Sequence, residues 1–142
     1  MATDYLIDTN LLVYTLDRRD LAKQSRAMAL LEELRESGTG SLSTQVLAEF
    51  FTVVTQRIPE PLPHADAANL VSTLGDAFPV WEVTLPIVVE ATRAVAEHRL
   101  SYWDALVWAT AKLNQVPVVL SEDLQGIAAL EGVRFHNPLP QG

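Results

Sequence analysis

The chain has 142 residues, 49% of them hydrophobic and 20% charged, with no cysteine and a formal net charge of −8. That length fits one domain spanning 1–142, and the composition excludes a disordered chain. The missing cysteine excludes disulfide scaffolds, thiolate zinc sites, cysteine nucleophiles and dithiol redox centres, and fits a reducing cytoplasm.

In chain order, Asp4–Ile7 read as a short apolar strand ending at Asp8, followed by a short helix over Thr9–Leu16. Asp20–Ser37 read as an amphipathic helix with Leu21, Met28, Leu30, Leu31 and Leu34 on its apolar side, closed by Gly38 and Gly40. A minimal strand at Ser41–Ser43 leads into a strongly apolar helix, Thr44–Arg57, stopped by Pro59, Pro61 and Pro63. A helix over His64–Ala77, a strand at Val80–Val83, a helix from Pro86 to Arg99 and a further helix capped by Ser101 and reaching Asn114 follow. Pro117–Leu120 read as a buried strand, Asp123–Leu130 as a short helix and Gly132–His136 as a last strand. Strands alternating with helices predict an α/β domain of three layers, α/β/α, around a mostly parallel sheet. Such sheets bind ligands beyond the carboxyl ends of their strands. The N-terminal residues lack a basic and apolar leader, so no signal peptide is expected. No apolar run approaches the ~18 residues of a membrane span.

Four acids stand out against their surroundings. Asp8 ends the strand Tyr5-Leu6-Ile7, and Asp123 follows Val118-Val119-Leu120 within Ser121-Glu122-Asp123. Glu49 is the only charge in Val46–Val54, and Asp104 the only one in Tyr102–Ala109. Taken singly, Asp8 and Asp123 fit helix N-caps, and Asp104 fits a capping box with Ser101. Glu49 fits no such role. A helix apolar nearly all round is buried, and a carboxylate there requires an arginine, hydrogen-bond donors or a metal. Read together, the four can meet at one sheet edge, where like charges raise one another's pKa values unless a divalent cation joins them. Carboxylate and water oxygens suit Mg²⁺ or Mn²⁺, one ion or two, and such a site can orient a phosphodiester and activate a water.

The segments that carry these acids resemble the motifs of PIN domains. They are Leu6-Ile7-Asp8-Thr9-Asn10, then Ser43-Thr44-Gln45-Val46-Leu47-Ala48-Glu49-Phe50, Trp103-Asp104-Ala105-Leu106, and Leu120-Ser121-Glu122-Asp123-Leu124. In order, context and length the chain is most similar to the VapC-type toxins of type II toxin–antitoxin pairs. The resemblance implies a Mg²⁺- or Mn²⁺-dependent endoribonuclease with Asp8, Glu49, Asp104 and Asp123 at its four acidic positions and Thr9, Asn10 and Ser121 as supporting polar residues. It also implies a homodimer and a small VapB-type antitoxin whose tail occupies the active-site groove. Trp103 and Trp108 depart from the smaller residues frequent beside the third acid, and Leu124 stands where an aromatic is common. Glu122 is an alternative to Asp123 in the fourth role.

The mechanism expected from these residues is in-line attack of a metal-activated water on RNA phosphorus, leaving 5′-phosphate and 3′-hydroxyl ends. Asp8 and Asp104 are the principal ligands. Glu49 binds metal directly or through water, or orients the nucleophile, and Asp123 completes the acidic cup or holds a second ion. The competing acid–base chemistry would need two of His64, His98 and His136, each of which reads more simply as a surface residue.

Net acidity argues against a phosphate backbone as partner, yet Arg18, Arg19, Lys23, Arg26 and Arg35 hold five of the ten basic charges in one stretch. Interleaved with Asp17, Asp20, Glu32, Glu33 and Glu36, that stretch reads as a solvated helix face rather than an RNA guide. Phe50, Phe51, Trp81, Trp103 and Trp108 are read as core, with a minority as the alternative lining of a groove for a partner helix. The alternative functions are a catalytically silent PIN-like binding module and a metal-dependent phosphohydrolase acting on DNA or a small phosphate ester. No Gly-rich P-loop occurs, and neither Lys23 nor Lys112 follows a strand as a receiver domain requires.

Overall fold

The computed structural model describes residues 3–122, 124 and 126–140. Six strands and six helices are described. They are β1 (Tyr5–Ile7), α1 (Thr9–Tyr14), α2 (Leu21–Ser37), β2 (Gly40–Ser43), α3 (Thr44–Gln56), α4 (His64–Ala77), β3 (Val80–Trp81), α5 (Leu85–His98), α6 (Tyr102–Leu113), β4 (Val118–Leu120), β5 (Ala129–Leu130) and β6 (Val133–His136). They form one sheet in the order β3-β2-β1-β4-β6-β5, parallel except for β5.

The three layers follow from strand alternation, which sends neighbouring side chains to opposite faces. Ile7, Leu42, Val118 and Leu120 point to the face covered by α1, α2, α3 and α4, where they pack with Leu11, Leu30, Phe50 and Val54. Leu6, Val119 and Val133 point to the other face and pack with Ile87, Ala91, Leu106 and Trp108 of α5 and α6. No described helix is long and apolar enough to cross a membrane.

The helix starts are set by local capping. Asp8 caps α1 by accepting from Thr9 N, Asp20 caps α2 from Lys23 N, Ser43 caps α3 from Val46 N, and Ser101 caps α6 from Asp104 N. Asp8 directly follows β1 and Ser43 is the last residue of β2, so α1 and α3 begin at the carboxyl edge of the sheet.

Gly40 opens β2 where α2 crosses it. A Cβ there would lie 2.9 Å from Leu34 Cβ and 3.3 Å from side-chain atoms of Ile7 and Phe78. Leu34 Cβ is fixed to the backbone and cannot swing away. Gly40→Ala is therefore expected to destabilise the fold by about 1–3 kcal/mol through overpacking, measured by urea unfolding.

Three expectations need correction. The helix over Asp123–Leu130 is absent among the described residues. Gly126 has φ 73°, Ala129–Leu130 form β5, and a two-residue turn with Glu131 at φ 46° and Gly132 at φ 87° returns the chain antiparallel into β6. On α2, Leu21 and Met28 are exposed, while Ala27, Leu30 and Leu34 face the core. Trp103 is not core: it is 61% exposed, whereas Phe50 and Trp108 are buried.

Candidate active site

The carboxyl ends of β1 and β4 are neighbours, with Ile7 paired to Leu120, so Asp8 and Ser121 emerge side by side. Asp8 is buried, and its two oxygens have separate partners. Oδ1 accepts from Thr9 N at 2.8 Å, and Oδ2 accepts from Ser121 Oγ at 2.8 Å. Asn10, in the first turn of α1, donates from Nδ2 to Ser121 Oγ at 3.1 Å and accepts at Oδ1 from Glu122 N at 3.3 Å. Asn10 thereby ties the segment after β4 to α1.

Glu49 reaches the same edge from the second turn of α3. Its Oε2 accepts from Thr9 Oγ1 at 3.0 Å and its Oε1 from Gln45 Nε2 at 2.9 Å. The puzzle of a carboxylate in an apolar helix is thus resolved by neutral donors. Gln45 also donates from Nε2 to Trp103 O at 3.1 Å, which links α3 to the first turn of α6 where Asp104 lies. Its own Oε1 is buried without a hydrogen-bond partner among the described residues. Asp8, Glu49 and Asp104 all line one cleft of about 370 Å³, with Thr9, Asn10 and Gln45.

Burial pushes the Asp8 carboxyl up from 3.8 to about 6. The hydrogen bonds from Ser121 and Thr9 pull it down, and the charges of Glu49 and Asp104 push it up again. Ser121→Ala removes the strongest bond favouring the ionised form, so the Asp8 pKa of the metal-free protein is expected to rise further, as read by NMR titration of its carboxyl carbon.

The donor set fits a hard divalent cation. Asp8 and Glu49 are carboxylates held by hydroxyl, amide and backbone donors, and no lysine or arginine pairs with either among the described residues. Asp8, Asp104 and Glu49 are the residues that would hold it. Asp123 lies outside the described residues. Both oxygens of Glu122 are engaged elsewhere: Tyr14 Oη donates to one and Lys23 Nζ pairs with the other, both at 2.5 Å. A second cluster, Glu97, His98 and Glu131, brings ligand atoms within 4.8 Å of one another. Arg93 and Lys112 already neutralise it, and hydrogen bonds from Arg93, His98 and Lys112 hold the Glu131 carboxyl at about 2.

None of the three histidines lines the acidic cleft. His64 packs beside Phe51, His98 bonds to Glu131, and His136 is exposed on β6. In the basic stretch, Arg19 pairs with Asp17, Lys23 with Glu122, Arg26 with Glu33 and Arg35 with Glu32. Only Arg19 among them lines the cleft. Reading the sequence missed Gln45, Tyr14 and Arg19 as cleft residues. The one signal available was the i,i+4 spacing of Gln45 and Glu49.

The PIN domain family model matches residues 5–131. The chain belongs to the PIN-domain family. No curated protein matches this PIN domain. Solved structures do. A toxin–antitoxin complex from Klebsiella pneumoniae aligns at a TM-score of 0.70 and 19% identity, over 94% of this chain and 97% of that one. The DNA-bound VapBC of Salmonella typhimurium aligns at 0.68 and 15%, over 97% and 99%. VapC20 of Mycobacterium tuberculosis, a sarcin–ricin-loop-cleaving toxin, aligns at 0.62 and 20%, over 81% and 86%. At these identities the likeness carries the fold, and the PIN domain's chemistry rests on its own residues.

Proposed function

We propose that this PIN domain is a divalent-metal-dependent endoribonuclease, the toxin of a toxin–antitoxin pair. The observation that carries the proposal is the convergence of Asp8, Glu49 and Asp104 on one cleft at the carboxyl edge of the sheet. The position of Asp123 in the sequence makes it the fourth acid of the site. The toxin assignment draws support from the structural neighbours, which include toxin–antitoxin complexes and an RNA-cleaving toxin. A VapB-type antitoxin and a homodimeric assembly are the partners that go with it, in the cytoplasm.

Mg²⁺ or Mn²⁺ bound by these acids would lower the pKa of a water and neutralise charge developing on the phosphate. The protein's own part is placement. Thr9 N and Ser121 Oγ fix the two Asp8 oxygens, and Thr9 Oγ1 and Gln45 fix those of Glu49, so neither carboxylate must reorganise during the reaction. Glu49, held by neutral donors, is placed to orient the attacking water. The route uses no 2′-hydroxyl nucleophile. Cleavage is therefore expected to leave 5′-phosphate ends and to persist when the nucleotide before the cut carries 2′-deoxyribose. End-labelling of the products checks both. Cyclic-phosphate ends, or loss of cutting at the 2′-deoxy position, would contradict this mechanism.

A further inference from the structure

Trp103 is the large side chain that the fold leaves most conspicuously unexplained. It is 61% exposed, although burying a tryptophan is among the stronger stabilising events open to a chain. Its position is nonetheless fixed from two sides. Gln45 Nε2 binds its carbonyl oxygen, and Tyr102 meets its ring nearly edge-on, with centroids 5.3 Å apart and planes at 63°. It immediately precedes Asp104 and lines the same cleft as the acids. Arg19 lines that cleft too and is the one cation there among the described residues. Its guanidinium is anchored through Nε and Nη2 to the buried Asp17 carboxylate, while Nη1 has no partner among the described residues.

We infer that Trp103 is a stacking platform for an unpaired base of the RNA substrate, with Arg19 binding a backbone phosphate in the same cleft. This rests on the ribonuclease reading above and adds a substrate preference to it. A phosphodiester engaged at Asp104 places its flanking nucleotide within reach of the ring of the preceding residue, Trp103. A base can present its face to that ring only when it is out of a duplex, and single-stranded RNA bases stack readily on exposed aromatic side chains. With its charge paired to Asp17, Arg19 offers a phosphate the N–H donors of Nη1, which have no partner among the described residues.

The test compares wild type, Trp103→Ala, Trp103→Phe and Arg19→Ala on a short mixed-sequence single-stranded RNA, on the same sequence closed in a duplex, and on a set of single strands each carrying one abasic position. Binding of each RNA is measured alongside cleavage. The expected result is a loss of roughly 5- to 150-fold in kcat/KM on the single strand for Trp103→Ala, the range for removing one stacked base. Trp103→Phe should recover most of it. One abasic position should cost the wild type the same factor and cost Trp103→Ala nothing further. Arg19→Ala should weaken binding at every sequence and flatten its salt dependence. Wild-type cleavage with unchanged constants in Trp103→Ala would overturn the stacking proposal and leave the nuclease intact. A change confined to oligomeric state or protein binding would also overturn it, assigning the ring to a protein interface. If wild type binds RNA but cuts none, the nuclease reading fails. Stacking then stands or falls on whether Trp103→Ala weakens that binding. The ring is exposed, so the two Trp103 variants should melt as wild type does.

Discussion

Asp8→Asn is expected to lower RNA cleavage by at least roughly a hundredfold, the scale of losing one preorganised charge at a reacting centre, and to make the metal-free protein more stable. The two effects have one cause. Asp8 is buried, held only by neutral donors among the described residues, and its carboxyl sits at about 6. The folded state therefore disfavours the charge that the chemistry requires. An asparagine keeps the contact with Thr9 N through its oxygen and carries no charge for burial to disfavour.

The linkage has a definite sign. Well below pH 3.8 the carboxyl is protonated in both folded and unfolded chains, and it contributes no difference. As pH rises from 4 to 6 the unfolded chain ionises first, and the wild type loses stability. Above pH 6 the loss is complete at about 3 kcal/mol, taking 1.36 kcal/mol per pKa unit. Urea unfolding without divalent cation should show the two proteins alike well below pH 3.8 and Asp8→Asn ahead at about pH 7.5. Added Mg²⁺ or Mn²⁺ should then stabilise the wild type by mass action and leave the variant nearly unmoved.

The largest loss of stability is expected at Trp108. Its side chain is completely buried on α6, its Nε1 donates to Leu130 O at 3.1 Å, and the cations of Lys112 and Arg93 lie 5.1 and 5.8 Å from its ring. One side chain thus joins α6, which carries Asp104, to β5 and the hairpin that follows. Trp108→Ala should cost about 3–5 kcal/mol, a large share of the 5–15 kcal/mol that holds an ordinary domain folded. Trp108→Phe fills most of the volume but leaves Leu130 O without its donor, and should cost about 1–3 kcal/mol. Denaturant unfolding of both variants separates the packing contribution from the hydrogen bond.

How far the sequence led can be seen residue by residue. Strand–helix alternation places Asp8 and Ser121 at the carboxyl edge of a parallel sheet, and pairing of Ile7 with Leu120 makes them neighbours. Glu49 was conspicuous because nothing within its own apolar helix except Gln45 could satisfy it. Its other partner, Thr9, is 40 residues away and invisible to local reasoning.

Trp103 and α2 went astray because counting apolar residues is not the same as placing them on a helix. At 3.6 residues per turn, Trp103 lies well round from Trp108, and Met28 nearly opposite Leu30. Only one of each pair can face the sheet. The segment from Leu124 to Leu130 carries enough apolar residues for a helical turn. Gly126 at positive φ and the Glu131–Gly132 turn instead bring Leu130 to the Trp108 indole. The charge census was similarly blind to pairing: Lys23 and Glu122 lie 99 residues apart, and their ion pair removes both from the roles their positions suggest.

Cleavage of RNA by these carboxylates with a divalent cation is measured by incubating purified protein with a pool of structured RNAs in Mg²⁺, in Mn²⁺ and in EDTA, beside Asp8→Asn. Carboxylate–metal chemistry predicts discrete cuts bearing 5′-phosphates with either metal, and none in EDTA or with the variant. Cleavage that survives both EDTA and Asp8→Asn would contradict it.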